Sequence, residues 1–218
     1  MTRTGIYGGS FNPIHNGHIA LARQLADKAG LDEIWFVVSP QNPLKQQSSL
    51  LDDGLRLDMV RRALAPYPQL HASDCEFALP RPSYMWHTLR HLSSRYTDRE
   101  FTLIIGGDNW AVFDRWYHAA DIISHYPIVI YPRRGSAVDA ASLPHGVRLV
   151  DTPLYDISST DVRQAVAEGR DISRMVPTCI AADVRQAVAE GRGISRMVPA
   201  CIAADVQRLY ATGAARQG

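Results

Sequence analysis

Apolar and polar positions along the chain follow two periods in turn, one typical of strands and the other of helices. Short apolar runs bounded by turn residues predict strands at residues 4–7, 33–38, 70–73, 101–105, 127–131 and 147–150. Apolar residues spaced three and four apart predict helices over residues 16–29, 55–64, 84–96 and 117–124. Gly30 is the expected stop of the first helix, and Asp52 or Asp53 is the expected cap of the second.

The predicted strands are apolar on both faces and alternate with helices, which favours a parallel sheet covered on both sides. We therefore predict an α/β fold, a Rossmann-like doubly wound parallel sheet with helices on both faces and a C-terminal helical tail. The expected organisation is one α/β domain over residues 1–160 and a helical tail over residues 161–218, packed on that domain or continuous with it. Ligands of such sheets bind beyond the carboxyl ends of the strands. Three loops should therefore share one crevice, residues 8–18, 106–109 and 133–135.

The tail contains a tandem duplication of 22 residues. Residues 161–182 recur as residues 183–204 with two substitutions. Two copies are too few for a solenoid, in which each unit is stabilised by its neighbours. Gly169 is expected to end one short helix and Pro177 to begin the next. We interpret the second copy as an added structural unit, with a regulatory or assembly role as the alternative.

Composition limits the kinds of partner. The chain has 218 residues, of which 46% are hydrophobic and 21% charged, and its formal net charge is +1. This balance argues against nucleic-acid or membrane-surface binding through bulk charge. No apolar run approaches the roughly 18 residues of a membrane span, and the start of the chain has no signal-peptide pattern. Three cysteines without a CxxC pair indicate reduced thiols and a cytoplasmic location. Small-molecule substrates are expected, and a homo-oligomer is left open.

The segment from Gly8 to His18 carries the pattern of a phosphate site. A glycine pair after the first strand lets the backbone approach a ligand closely, and the start of the next helix adds partial positive charge. His15 and His18, three residues apart, lie on one face of that helical turn and can each donate an N–H to a phosphate oxygen. The spacing fits neither the P-loop nor the dinucleotide-binding glycine motif.

A second phosphate pattern begins at Ile157, in the sequence ISSTDVR. Ser158 or Ser159 is a natural N-cap, the helix start can receive a phosphate, and Arg163 supplies a planar cationic fork. A merely structural cap is the alternative. A zinc site is not expected, because His87 and the histidine four residues later have no evident third ligand.

The first segment, GGSFNPIHNGH, resembles the G-x-F-x-P-x-H-x-G-H signature of the nucleotidyltransferase superfamily, and ISSTDVR resembles its second signature. The match to the first is complete at Gly9, Phe11, Pro13, His15, Gly17 and His18. Within the superfamily, the chain is most similar to the bacterial nicotinate-nucleotide adenylyltransferases over residues 1–182. Four further stretches carry that resemblance, namely residues 42–45, residues 81–84, residues 104–109 with Trp116 downstream, and residues 131–135.

The resemblance implies an enzyme that joins nicotinate mononucleotide to ATP, giving deamido-NAD and pyrophosphate, with Mg²⁺ held chiefly by the ATP phosphates. His18 would stabilise the α-phosphate, His15 the β- and γ-phosphates, and Arg163 the pyrophosphate side. The other ATP-binding residues implied are Gly8, Gly9, Ser10, Phe11, Gly106, Asp108, Ser158, Ser159 and Thr160. Asp108 could instead be the cap of the helix after its strand.

The resemblance also implies a set of mononucleotide-binding residues, namely Asn12, Lys45, Ser83, Tyr84, Trp116 and Arg133. Lys45 would meet the phosphate, Trp116 would stack on the pyridine ring, and Arg133 or nearby backbone donors would favour a carboxylate over an amide. A solvated loop lysine and a core tryptophan are the alternatives. Met85 stands where the family often has threonine, which leaves acid-versus-amide selectivity open.

Other functions remain open from the sequence. One stays within the fold: an adenylyltransferase for nicotinamide mononucleotide or for a pantetheine phosphate. Another is a regulatory module that binds a nucleotide with little chemistry. Within the duplication only Arg163 follows Ser-Ser-Thr, whereas Arg185 follows Ile-Ala-Ala, so the first copy is expected to be the functional one.

Overall fold

The computed structural model describes residues 1–41 and 50–190. Its strands are β1 (Thr2–Gly9), β2 (Glu33–Val38), β3 (Leu70–Ser73), β4 (Arg99–Gly106), β5 (Ile128–Tyr131) and β6 (Val147–Leu149). Its α-helices are α1 (Asn16–Ala29), α2 (Asp53–Leu64), α3 (Met85–Arg95), α4 (Gly107–Trp110), α5 (Ala119–His125), α6 (Ser159–Ala167) and α7 (Thr178–Ala189). A short 3₁₀ helix, Cys75–Ala78, follows β3.

The strands form one sheet in the order β3-β2-β1-β4-β5-β6, and every neighbouring pair is parallel. This is the doubly wound arrangement in which the strand order reverses between β1 and β4. The predicted α/β, Rossmann-like fold is confirmed. A crevice opens beyond the carboxyl ends of β1 and β4 at such a reversal, because the connecting helices leave in opposite directions.

Alternate side chains of each strand enter two separate cores. On β2, Ile34 and Phe36 lie in one core, whereas Trp35 and Val37 lie in the other. Helices α1 and α2 cover the first face, and α3 and α5 cover the second. Strands buried on both faces need apolar residues at every position, which explains why the sequence shows continuous apolar runs.

Several sequence signals act as predicted. Gly30 ends α1 in the left-handed conformation with φ 64°, and the Asp52 side chain accepts the Leu55 N–H at 3.1 Å to cap α2. The helix predicted from residue 117 begins only at Ala119, because His118 has φ 57° and cannot continue a right-handed helix.

The described part of the tail packs on the first face of the sheet. Val162 and Val184, at the same position of the two copies, are both fully buried in the core that α1 and α2 share. Gly169 adopts φ 68° after α6, and Pro177 is the N-cap of α7, as the sequence predicts. Helix α7 runs across the junction between the copies. The remainder of the second copy lies outside the described residues, and the boundary at residue 160 stays a prediction.

None of the helices within residues 1–41 and 50–190 is both long and apolar enough to span a membrane.

Candidate active site

The loop between β1 and α1 is shaped by a buried aromatic side chain. Phe11 has φ 42°, an uncommon conformation for a bulky residue, and its ring packs 5.2 Å from Phe36 and 5.7 Å from Tyr7. Only 2% of Phe11 is exposed. The expectation of an ATP contact therefore narrows to the backbone of Phe11, because its side chain belongs to the core.

The two signature histidines are in direct contact at the start of α1. Their rings stack with centroids 3.6 Å apart and planes 26° apart. The backbone N–H of His15 donates to Nδ1 of His18 at 3.2 Å. Because Nδ1 of His18 accepts, its Nε2 carries the hydrogen, and His18 can donate from Nε2 to a ligand.

His15 lies deeper than His18. Burial, together with the charge of Arg133, lowers the pKa of His15 to about 3, so the ring is neutral at physiological pH. Its Nδ1 is buried without a hydrogen-bond partner among the described residues. A Cβ on Gly17 would lie 3.1 Å from that nitrogen, so the glycine of the signature leaves room for the ring.

The first turn of α6 is docked on the β1–α1 loop. Ser158 caps the helix through Asp161, and Ser159 donates its hydroxyl to the Pro13 carbonyl at 2.9 Å. Arg163 donates to the Asn12 carbonyl at 2.6 Å and to the Thr160 hydroxyl at 3.3 Å. These contacts hold the N–H groups at the start of α6 beside the histidine pair. The two serine side chains are occupied by protein contacts.

The matching arginine of the second copy lies elsewhere. Arg185 pairs with Asp171 at 3.3 Å, on the exposed side of α7. The arginine of the repeated heptapeptide DVRQAVA, residues 161–167 and 183–189, therefore lies near the β1–α1 loop in the first copy and away from it in the second.

Two clefts meet at the carboxyl edge of the sheet. The first is lined by the start of α3 and by the glycines that end β1 and β4, and its residues include Gly8, Gly9, Ser83, Tyr84, Met85, Gly106 and Trp116. The second is lined by the signature histidines and the segment before α6, including His15, His18, Arg133, Tyr155 and Ile157. Tyr7 and Tyr131 line both clefts. Tyr7 and Tyr155 were not singled out from the sequence, and Tyr131 appeared there only within the stretch 131–135. Tyr7 and Tyr131 lie near the carboxyl ends of parallel strands, where ligands of such sheets bind.

The first cleft holds several donors suited to an anion. The Trp116 Nε1–H is buried without a hydrogen-bond partner in the described part of the chain, and the Ser83 hydroxyl is buried beside Glu76, where it opposes the rise in the pKa of that carboxyl group. Helix α3 begins beside them with Tyr84 as its N-cap, and a helix start carries partial positive charge. The Met85 methyl group lies over Gly8, where a Cβ would be 2.7 Å from it. The structure thus places Ser83, Tyr84 and Trp116 together, as the sequence reading supposed.

Arg133 lies in the second cleft and not beside Trp116, where its expected acceptor role would put it. Its Nε is 3.8 Å from Asp108, and its guanidinium lies 5.6 Å from the centre of the Tyr131 ring. Arg133 therefore stands on the side of the histidines. The cap of α4 is Gly106, so the alternative of Asp108 as a cap does not hold.

The remaining expected residues link loops. The Asn12 side chain accepts the Leu51 N–H at 3.0 Å, and the Ser10 carbonyl accepts from Arg56. Lys45 lies outside the described residues. Within residues 1–41 and 50–190, no group of three or more histidine, cysteine, aspartate or glutamate side chains is arranged to hold a metal ion.

Comparison with known proteins identifies the family of this chain. Residues 6–165 match the model of the cytidylyltransferase-like family. The chain is 54% identical over 171 residues to a probable nicotinate-nucleotide adenylyltransferase of Bacteroides fragilis, covering 78% of this chain and 85% of the relative. It is 44% identical over 174 residues to a protein of the same name from Cytophaga hutchinsonii, covering 80% and 91%.

Solved structures share the fold. The nicotinic acid mononucleotide adenylyltransferase of Plasmodium falciparum, complexed with NaAD, superposes with a TM-score of 0.71 at 18% identity, over 87% of this chain and 95% of that one. A putative nicotinate-nucleotide adenylyltransferase of Vibrio parahaemolyticus superposes with a TM-score of 0.64 at 22% identity, over 88% of this chain and 96% of that one. At these identities the likeness concerns the fold alone. The family model and the sequence relatives together show that the chain belongs to the cytidylyltransferase-like family and, within it, to the nicotinate-nucleotide adenylyltransferases.

Proposed function

We propose that the protein transfers AMP from ATP to nicotinate mononucleotide, giving deamido-NAD and pyrophosphate. The observation that carries the proposal is the meeting of two clefts at the end of β1. One holds the stacked histidines for a triphosphate, and the other holds buried donors for an anionic ring. Sequence relatives named for this activity support the choice of acceptor.

The reaction we propose is a direct in-line displacement. A phosphate oxygen of the mononucleotide forms a bond to the α-phosphorus of ATP as the bond to the β-phosphate oxygen breaks. Pyrophosphate leaves with that electron pair. A phosphate dianion is itself a competent nucleophile, so the protein needs no covalent intermediate. It has to align the two substrates and stabilise the charge that develops on the transferred and leaving phosphates.

The second cleft supplies those donors in our proposal. Nε2–H of His18 would bind an α-phosphate oxygen, since its Nδ1 is already occupied by the His15 N–H. The neutral His15 would face the β- and γ-phosphates. Arg163, with the N–H groups that begin α6, would hold the leaving pyrophosphate. We assign Arg133 to the triphosphate too, because it lines the same cleft as the histidines.

The first cleft would bind the acceptor. The pyridine carboxylate would take hydrogen bonds from the Ser83 hydroxyl and the start of α3, and the ring would stack on Trp116. Lys45 would bind the phosphate of the mononucleotide. Met85 contributes no hydrogen bond, so selection of the acid would depend on Ser83 and the α3 backbone.

We also propose that Mg²⁺ accompanies ATP. The histidines and arginines of the second cleft are poor ligands for a hard cation, which prefers phosphate and water oxygens. The residues therefore fit a metal that arrives on the triphosphate, where it would neutralise phosphate charge. A cytoplasmic site for the reaction is consistent with the free thiols of Cys75 and Cys179.

The test is pyrophosphate release from Mg·ATP with each acceptor side by side. We expect turnover with nicotinate mononucleotide to exceed that with nicotinamide mononucleotide or a pantetheine phosphate, with deamido-NAD as the second product. Preferred turnover of another acceptor would reassign the substrate. ATP binding without pyrophosphate release from any of them would indicate a regulatory nucleotide-binding protein.

A further inference from the structure

A buried arginine joins the loops that follow β1 and β2. Arg56 of α2 has no exposed surface. Its guanidinium donates to the Ser10 carbonyl, to the Ser39 carbonyl at 3.0 Å and to the Leu51 carbonyl at 3.0 Å. Asp53 balances the charge at 2.6 Å. Three backbone segments are thereby fixed to one rigid, planar group.

Ser39 continues this connection towards the acceptor side. Its N–H donates to the Gly9 carbonyl at 2.9 Å, and its hydroxyl donates to Oε2 of Glu76 at 2.6 Å. The backbone of Ser39 is therefore bonded to the end of β1, where the phosphate-binding loop (residues 8–18) begins. Its side chain is bonded to Glu76, which lines the first cleft.

Glu76 completes the path to α3. It is 2% exposed, and its Oε1 accepts the Thr88 hydroxyl at 2.7 Å. Burial raises the pKa of Glu76, while the hydroxyl donors oppose that shift. Thr88 lies one turn after Met85, so the carboxylate holds the end of α3 that lines the acceptor cleft.

Removing an ionised group from water costs several kcal/mol unless it is paired and hydrogen-bonded. Here two ionisable side chains are buried where they bridge the loops of both clefts. In-line transfer demands close alignment of two bound substrates, and a displacement of about 1 Å can cost about 100-fold in rate.

We infer that Arg56 and Glu76 are positioning residues, which through Ser39 and Thr88 set the acceptor-binding start of α3 relative to the phosphate-binding loop. The inference rests on the proposed function. Neither residue needs to touch a substrate. Their effect is on the relative placement of two ligands and not on the affinity for each one alone.

Thr88 offers a matched test. Thr88→Val keeps the shape but removes the hydroxyl, and Thr88→Ser keeps the hydroxyl. Dissociation constants for ATP, nicotinate mononucleotide and deamido-NAD would be measured together with kcat and Tm. Deamido-NAD spans both clefts, so it reports their relative placement. Ser93→Ala is the control, because it removes a hydroxyl contact of α3 with Tyr126 that lies away from the clefts.

For Thr88→Val we expect kcat to fall about 10-fold and the dissociation constant of deamido-NAD to rise about 10-fold, with those of the separate substrates changing less than about 2-fold. Thr88→Ser and Ser93→Ala should behave as wild type. Ser39→Ala, which removes a second hydroxyl partner of Glu76, should reproduce the Thr88→Val result and serves if that variant does not fold.

Two results would overturn the inference. One is a lower Tm in Thr88→Val and Ser39→Ala with unchanged kcat and unchanged deamido-NAD affinity. The other is an equal loss of affinity for all three ligands. If wild type releases no pyrophosphate with nicotinate mononucleotide, the proposed acceptor fails. If wild type is active with nicotinate mononucleotide and Thr88→Val has the same kcat and deamido-NAD affinity, only the positioning role fails.

Discussion

The rings of His15 and His18 stack 3.6 Å apart while the backbone N–H of the first donates to Nδ1 of the second. The contact gives the two histidines different chemistry. His18 is fixed in the tautomer that donates from Nε2, whereas His15 is buried and neutral. The two histidines therefore differ in burial and in the hydrogen bonds of their ring nitrogens, although they look equivalent in the sequence.

Replacing His18 by alanine should lower kcat by about 10²–10³-fold, the usual loss for one preorganised donor to a developing charge. The KM for ATP should change little, because the donor acts mainly in the transition state. Steady-state pyrophosphate release measures both constants. His145→Ala, at an exposed position in the loop before β6, is the control and should keep wild-type kcat. A His18→Ala enzyme with full kcat would remove His18 from the mechanism.

The neutral His15 makes stability depend on pH. Its pKa of about 3 in the folded protein lies below the ordinary histidine value of 6.5, so between these values the unfolded chain binds a proton that the folded protein excludes. This contribution to the free energy of unfolding is present above about pH 6.5 and is lost as the pH falls towards 3. Urea unfolding at several pH values measures this effect. As the pH falls, the free energy of unfolding should decrease less for His15→Asn than for wild type. An equal decrease in the free energy of unfolding of the two proteins would show that His15 is not its source.

The duplicated helix provides a matched pair of arginines. Arg163→Ala should reduce kcat/KM by about 10²-fold or more, because a charged donor to phosphate and the anchor of α6 are lost together. Arg185→Ala loses only an exposed contact with Asp171 and should leave turnover unchanged. Pyrophosphate release by the two variants shows which copy of the duplication supplies the arginine needed for turnover. A larger loss in Arg185→Ala than in Arg163→Ala would refute the assignment of Arg163.

Met85 should weaken discrimination between acid and amide acceptors. Met85→Thr places a hydroxyl beside Ser83 at the start of α3, where it can donate to a carboxylate. We expect the ratio of kcat/KM for nicotinate over nicotinamide mononucleotide to rise about 10-fold, in line with one hydrogen bond to a charged group. Met85→Leu has no donor and should keep the wild-type ratio. An unchanged ratio in Met85→Thr would place acid recognition elsewhere in the cleft.

Much of the fold follows from local patterns in the sequence. Glu33–Val38 and Leu70–Ser73 form strands with the predicted bounds, because their apolar runs are bounded by clear turn residues. β1 and β4 extend beyond their predicted ends, where residues such as Thr2 and Arg99 pair in the sheet. Polar residues at sheet ends carry no period that a sequence pattern can detect.

The candidate site could be placed from the sequence where its motif is contiguous. His15, His18 and Arg163 could be selected because their spacing within one helical turn or one cap fixes their neighbours. Arg133 could not be placed, since whether it enters the first or second cleft depends on the packing around Tyr131. The roles of Arg56 and Glu76 come from carbonyls and hydroxyls far away in the chain, which no local pattern reveals.

The heptapeptide DVRQAVA occurs once in α6 and once in α7, with Val162 and Val184 equally buried and with the same glutamine-to-glutamate contact at the helix end in each copy. The molecule thus carries an internal reference for α6, the helix that we propose belongs to the active site. If each copy is randomised separately and active clones are selected, residues excluded from both copies report the demands of packing. Residues excluded from the first copy alone report the demands of chemistry. Subtracting one tolerance profile from the other would isolate the catalytic constraint on a helix within a single polypeptide, under one set of folding conditions.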